Sequence, residues 1–147
     1  MTGRAPVRVI PGGLHRDARG VVQHVNGFGF DRVDRFYTIS PAATGEVRGW
    51  VGHLREWKWF FAVRGGFTLG VVQPRDWVAP SPDDRVELIP LRGNEPCVVE
   101  VPPGHYTAAC AVGQDSTLLV FSSGQIAGAA TDDYRLTPDF WPLSLQS

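Results

Sequence analysis

The sequence predicts an all-β chain folded as a sandwich or barrel of short strands. Three observations point that way. The 147 residues include 17 Gly and 12 Pro, and 11% are aromatic, a composition suited to many turns and few helices. No segment carries a long 3.6-residue apolar period. Short runs rich in Val, Phe, Tyr, Thr and Trp recur between turn signals, the pattern of half-buried strands joined by tight connections.

In chain order, strands are expected near Gly20–Val25, Arg35–Ser40, Glu46–Trp50, Lys58–Arg64, Gly66–Val72, Arg85–Pro90, Cys97–Val101, Tyr106–Val112 and Ser116–Ser122. The connections carry matching turn chemistry: Gly-Gly at 65–66, Ser-Pro-Asp-Asp at 81–84, Arg-Gly-Asn at 92–94 and Pro-Pro-Gly at 102–104. GQDS at 113–116 reads as a hairpin connection. Pro74–Asp84 is the best linker candidate, but it is too short to separate domains. One domain spanning 1–147 is the expectation, and that length can bury a proper core.

Several function classes are disfavoured. A net charge of −1 does not suggest a nucleic-acid or anionic-membrane partner. No apolar run approaches the roughly 20 residues of a membrane span. The start MTGRAPVRVIPGG lacks the apolar region of a signal peptide. Cys97 and Cys110 sit in apolar, strand-like surroundings. They read as reduced, buried thiols of a cytoplasmic protein. A disulfide stays open, because sequence does not give their separation.

The informative stretch is residues 47–66, VRGWVGHLREWKWFFAVRGG, where aromatic rings alternate with a histidine and several charges. A core strand needs no such charges and a solvated loop needs no such rings. The mixture suits a pocket with apolar walls and a few placed polar groups. In Lys58–Arg64, a period of two puts Lys58, Phe60, Ala62 and Arg64 on one face and Trp59, Phe61 and Val63 on the other. If the first face is interior, Lys58 enters the pocket beside Phe60. Its second reading is a strand-end lysine that snorkels into solvent. His53 has a side chain suited to proton transfer near neutral pH. Its second reading is a hydrogen-bonded structural histidine. His105 follows Pro-Pro-Gly and starts a strand, as at a barrel mouth. No His, Cys, Asp or Glu falls at metal-ligand spacing around His53, so no metal and no cofactor is expected. The chain has neither a P-loop nor a G-x-S-x-G elbow.

The runs RGWVGHLREWKWFFAVRGGF, VVEVPPGHYTAACAV, STLLVF and DDYRLTPDFWPL, with DARGVVQHV and VDRFYTIS before them, resemble the RmlC-like cupins. That family includes the dTDP-4-dehydrorhamnose 3,5-epimerases and the dTDP-4-keto-sugar 3,4-ketoisomerases. The matches extend from Asp17 to Trp141. The resemblance implies a double-stranded β-helix, the jelly-roll barrel of cupins, with the ligand inside the barrel. It also implies a homodimer, because VDRFYTIS and the N-terminal segment resemble parts exchanged between subunits.

Carried over residue by residue, the resemblance departs from the family at its centre. The family's RGxHxH pattern lands on Arg48-Gly49-Trp50-Val51-Gly52-His53. The base of the rhamnose-pathway epimerases falls on Val51, while the second histidine of the ketoisomerase pattern is kept as His53. The family lysine lands on Lys58, which favours its inward reading. The histidine of PxGxxH falls on Thr107, and the epimerase tyrosine falls on Phe121.

The implied chemistry is proton abstraction next to a sugar keto group. His53 is the candidate base, Lys58 or Arg48 the candidate enolate stabiliser, and Tyr106 or Tyr37 the candidate acid. Arg19 is a candidate for the nucleotide diphosphate. Trp50, Trp57, Trp59 and Phe60 are candidates for stacking on a base or sugar, with core packing as their second reading. His105 joins the substrate-binding candidates. Two functions follow: a cofactor-free epimerase or isomerase acting on a nucleotide-linked 4-keto-6-deoxy sugar, with dTDP as the expected carrier, or a non-catalytic cupin that binds a sugar or small anion. Lyase or cyclase chemistry on another carbonyl compound is a weaker third.

Overall fold

The computed structural model describes residues 5–143. Its strands are β1 Arg8–Pro11, β2 Gly13–Asp17, β3 Gly20–His24, β4 Arg35–Ile39, β5 Val47–His53, β6 Lys58–Arg64, β7 Gly66–Val72, β8 Glu87–Arg92, β9 Cys97–Val101, β10 His105–Ala111, β11 Thr117–Ser122 and β12 Tyr134–Arg135. Two antiparallel sheets face each other, one ordered β1-β9-β6-β11-β4 and the other β12-β5-β10-β7-β8, with β2 and β3 forming a separate hairpin. No helix among the described residues is long and apolar enough to cross a membrane.

From β4 to β7, and again from β8 to β12, each strand is followed by one in the opposite sheet. The chain thus winds around the barrel instead of running up and down one sheet. GQDS is therefore not a hairpin: it carries the chain from β10 in one sheet to β11 in the other. The Ser116 hydroxyl ties this corner together by donating to the Gly113 carbonyl at 2.6 Å and accepting from the Gly66 N–H at 3.1 Å. Gly65 turns β6 into β7 with φ +75°, and a Cβ there would stand 2.7 Å from the Ser116 Cα. Only glycine meets both conditions cheaply.

The expected β4, β6, β7, β9, β10 and β11 agree with the structure to within a residue or two. β8 lies two residues later than expected, and Pro90 sits inside it. That is possible because β8 is an edge strand, where a missing N–H breaks no ladder. β5 continues three residues beyond the expected Trp50. A glycine in a strand normally weakens it, but Gly52 is paired on both sides, to Tyr106 of β10 and Tyr134 of β12. A Cβ at Gly52 would meet the Trp77 ring at 2.7 Å and the Tyr106 ring at 2.8 Å. The glycine of Val-Gly-His is therefore required by packing on the outside of the sheet.

The interior is filled by alternate residues of both sheets, among them Phe60, Ala62, Phe67, Leu69, Val99, Leu118 and Val120. Two further apolar layers lie outside the barrel. Trp50, Tyr106 and Trp141 pack with Trp77 and Phe140 behind the second sheet. There the Trp50 indole N–H donates to the Trp141 carbonyl at 3.0 Å, and the Trp141 indole donates to the Ser81 carbonyl at 2.7 Å. Trp59, Ile10 and Val98 pack with Phe28, Trp57 and Phe121 behind the first. In that layer buried Glu100 accepts from the Trp59 indole at 2.9 Å, from Arg8 at 3.0 Å and from Arg32 at 3.3 Å. Burial pushes the Glu100 carboxyl up, but these donors, Arg8 first, outweigh it and hold it below its usual range. Arg32 lies 4.0 Å from the Trp57 ring centre. The five tryptophans thus all serve the two outer faces and none lies in the barrel interior.

Candidate active site

A cavity of about 510 Å³ opens within the barrel between the inner faces of the two sheets. Its apolar floor, Ile39, Phe60, Leu69 and Ala109, continues into the core. Alternate residues of the first sheet, Arg35 and Tyr37 of β4 and Lys58 of β6, supply a polar wall, and His53 of β5, two residues after apolar Val51, enters from the facing sheet. Glu56, just before β6, shares the parity of Lys58 and Phe60 and also lines the cavity. The inward reading of Lys58 is the one the structure adopts.

Lys58 is 5% exposed. Its Nζ donates to the Ser122 hydroxyl at 2.6 Å and to the Tyr37 hydroxyl at 3.4 Å, and it pairs with Glu56 at 3.3 Å. Ser122 faces it because Lys58 and Ser122 are register partners across β6 and β11. Glu56 also meets Arg35 at 3.3 Å. A buried ion needs such partners, because its desolvation is otherwise uncompensated. One donor on this wall is left over: the buried Nε–H of Arg35 has no acceptor among the described residues.

His53 ends β5. Its Nδ1 lies 2.7 Å from the backbone carbonyl of Asp132. A carbonyl only accepts, so Nδ1 carries the proton and Nε2 keeps the lone pair. Burial, followed by the Lys58 charge, lowers the pKa of His53, and the opposing influences of the Asp132 carbonyl, Glu56 and Asp132 do not reverse this. The imidazole is therefore held neutral, as a general base must be.

The sequence candidates divide cleanly. His53, Lys58, Arg48, Phe60 and the alternative acid Tyr37 line this cavity. Tyr106 does not. It neighbours inward-facing Thr107 on β10 and so points out of the barrel. There its ring stacks on Trp77 at 4.7 Å between centres and touches Trp141 edge-on at 5.4 Å. Burial raises its phenol pKa. The expectation of Tyr106 as catalytic acid is corrected by strand parity. Trp50 is corrected for the same reason, because it alternates with Val51 and is fully buried in the outer layer.

Trp57 belongs to the outer layer of the other sheet, stacked with Trp59 at 6.2 Å. Trp59 lies there too. Arg19 sits in the β2–β3 turn, where it binds Asp17 at 2.7 Å, and it does not line the cavity. His105 is buried, with Nδ1 2.9 Å from the Pro102 carbonyl, and pairs with His53 along the ladder without lining the cavity.

Sequence reasoning missed Arg35, Glu56, Ser122 and Asp132. The first three carry a usable signal. Arg35 shares a face with Tyr37 and Ile39, Glu56 lies two residues before Lys58, and Ser122 follows Leu118 and Val120 at period two. Asp132 opens the quoted run DDYR, but nothing local points to its partners, since it reaches Leu54 across 78 positions of chain.

No protein-family profile matches the chain, and no curated protein matches it. Solved structures do. A 4-keto-6-deoxy sugar epimerase, NovW of Streptomyces spheroides, superposes with TM-score 0.77 at 21% identity over 96% of this chain and 75% of its own. The 3'-monoepimerase ChmJ of Streptomyces bikiniensis, in complex with dTDP-quinovose, gives 0.75 at 20% identity over 95% and 77%. The 3,4-ketoisomerase QdtA of Thermoanaerobacterium thermosaccharolyticum, in complex with TDP, gives 0.69 at 17% identity over 91% and 90%. What these chains share at such identities is the course of the backbone, and this chain has the all-β RmlC-like cupin fold.

Proposed function

We propose that this chain is a cofactor-free epimerase or isomerase acting on a nucleotide-linked 4-keto-6-deoxy sugar, with dTDP as the carrier. The observation that carries the reading is that His53 from one sheet and Lys58 and Tyr37 from the other line a single cavity. Nε2 of His53 takes a proton from the carbon next to the keto group. The C–H electrons move into the new C–C double bond, and the carbonyl electrons move onto oxygen. Lys58 stabilises that enolate. Tyr37, not Tyr106, returns a proton to carbon as the carbonyl re-forms, and the two groups reset by exchange with water. The unmet Arg35 Nε–H supports ligand recognition, since a buried donor without an acceptor costs about 1–3 kcal/mol and a sugar oxygen would satisfy it. Arg48 and Arg135, which also line the cavity, suit a diphosphate.

The test is incubation with dTDP-4-keto-6-deoxyglucose in deuterated water, followed by mass. Exchange at C3 or C5 in wild type supports the reading. It should fall strongly in Tyr37→Phe and little in Tyr106→Phe. Val51 supports the second reading, a non-catalytic binding protein, because it lines the cavity where the resemblance puts the base. Tight binding of the nucleotide sugar without exchange would favour it.

Two other properties belong to this reading. The protein acts as a homodimer in the cytoplasm. The edge strand β4 presents Phe36 at 67% exposure, in contact with Phe121, and exposed Phe30 lies beside it. Exposed apolar rings of this kind suit a covered face. The two free thiols suit a reducing compartment. Light scattering should give the dimer mass, and a monomer mass at high concentration would reject the assembly.

The site also works without metal. Contrary to the expectation that no acid stands at ligand spacing around His53, the donor atoms of His53, Glu56 and Asp132 all lie within 4.8 Å of one another. However, both Asp132 oxygens accept backbone N–H groups, and Lys58 and Arg35 both bear on Glu56. A divalent cation would have to displace those donors and sit beside two positive charges. Elemental analysis should find no stoichiometric zinc, iron or manganese, and one metal per chain lost in His53→Asn would reject this.

A further inference from the structure

The connection between β11 and β12 includes a 3-10 turn, Ile126–Asp132, whose last residue takes no part in the proposed reaction. Asp132 is nevertheless 2% exposed. Its carboxylate accepts three consecutive backbone N–H groups of the β5–β6 turn: Leu54 at 2.7 Å on one oxygen, and Arg55 and Glu56, both at 2.9 Å, on the other. Its main-chain carbonyl meets His53 Nδ1 at 2.7 Å. A second tie runs alongside, since the Arg55 guanidinium donates to the Thr131 hydroxyl at 2.8 Å. One residue thus grips the four consecutive positions 53–56 through two different groups.

We propose that Asp132 is a positioning residue that sets the tautomer and orientation of His53 and fixes the turn leading into Glu56 and Lys58. The carboxylate is the anchor and the carbonyl is the effector. With three charge-assisted bonds holding it to the turn, the carbonyl cannot drift from Nδ1. The proton is thereby kept off Nε2, the nitrogen that must be bare to act as base. Which ring nitrogen carries the proton is set by the bond the other one makes. The same grip orders the turn from which Glu56 enters the cavity. The catalytic use of this arrangement rests on the reading of His53 as base, whereas the tautomer itself depends on no reaction.

The experiment uses the full chain with nitrogen-15 in its histidines. Long-range proton–nitrogen spectra above the His53 pKa report the tautomer directly. Wild type should show His53 with its proton on Nδ1. Asp132→Ala removes the anchor, and Asp132→Asn keeps the carbonyl but leaves one acceptor oxygen for three donors. Both should move population to the Nε2–H form, Ala further than Asn. kcat for deuterium exchange should fall by about 10²-fold, the effect of misplacing a catalytic group by about 1 Å, with KM little changed.

A wild-type His53 in the Nε2–H form would overturn the proposal. So would a loss of kcat with the Nδ1–H form intact, because Asp132 would then act only through the fold. If Asp132→Ala does not fold, the wild-type spectrum and Asp132→Asn decide. If wild type exchanges no proton of the keto-sugar while the tautomers behave as expected, the enzymatic reading fails and the role of Asp132 toward His53 stands.

Discussion

His53→Asn is expected to lower proton exchange next to the keto group by about 10²–10⁴, the usual contribution of a positioned general base. Asn keeps the approximate shape and its amide can still donate toward the Asp132 carbonyl, so the change removes the base with little loss of local structure. Exchange retained at wild-type rate would take the base role from His53 and send the search to Lys58 and Tyr37, which line the same cavity.

The pH profile gives an independent check. The His53 pKa is lowered by burial and then by Lys58. The acidic limb of kcat/KM should therefore fall below pH 6.5 and disappear in any residual activity of the variant. Stability follows the same sign. As pH drops from 6.5 through the folded value, the unfolded chain takes up a proton that the fold resists, so stability falls over that interval. His53→Asn should flatten that part of the stability curve.

Lys58→Met is expected to reduce kcat by about 10²–10³, the size seen when one donor to a developing oxyanion is removed. It should also move the acidic limb. The Lys58 charge lowers the His53 pKa, so its loss lets His53 protonate at a higher pH and narrows the active range from the acid side. Met retains much of the apolar stem packing. Glu56 is not orphaned, since Arg35 still meets it at 3.3 Å. The cost in stability should therefore be below the roughly 3–5 kcal/mol of a buried ion left without a partner, which thermal unfolding can measure. A large fall in kcat with the acidic limb unmoved would separate Lys58 from His53 and reject the electrostatic coupling.

Much of this arrangement is legible along the chain. Alternation in Lys58–Arg64 puts Lys58 and Phe60 on one face, and the resemblance to RmlC-like cupins turns that face inward. Arg35, Tyr37 and Ile39 share a face for the same reason. Such statements need only a strand's period of two, which is local. Deciding which candidates share a cavity needs to know which face of each strand is interior. Tyr106 and Trp50 show the limit. Both carry suitable side chains and adjoin cavity residues, but parity turns them into an outer layer that is apolar only because Trp77, Phe140 and Trp141 return to cover it.

The sequence by itself determined the all-β class and most of the strands, and it offered the side chains proposed for proton transfer. The tertiary structure alone decided the tautomer of His53, the partners of Lys58 and which of the two candidate tyrosines lines the cavity. The reason is that each of these depends on a partner from a distant strand or loop. Asp132 lies 79 residues from His53, Ser122 lies 64 from Lys58, and Tyr37 lies 21 from it. No local period links such positions. Only the winding of the chain from sheet to sheet brings their atoms within hydrogen-bond reach.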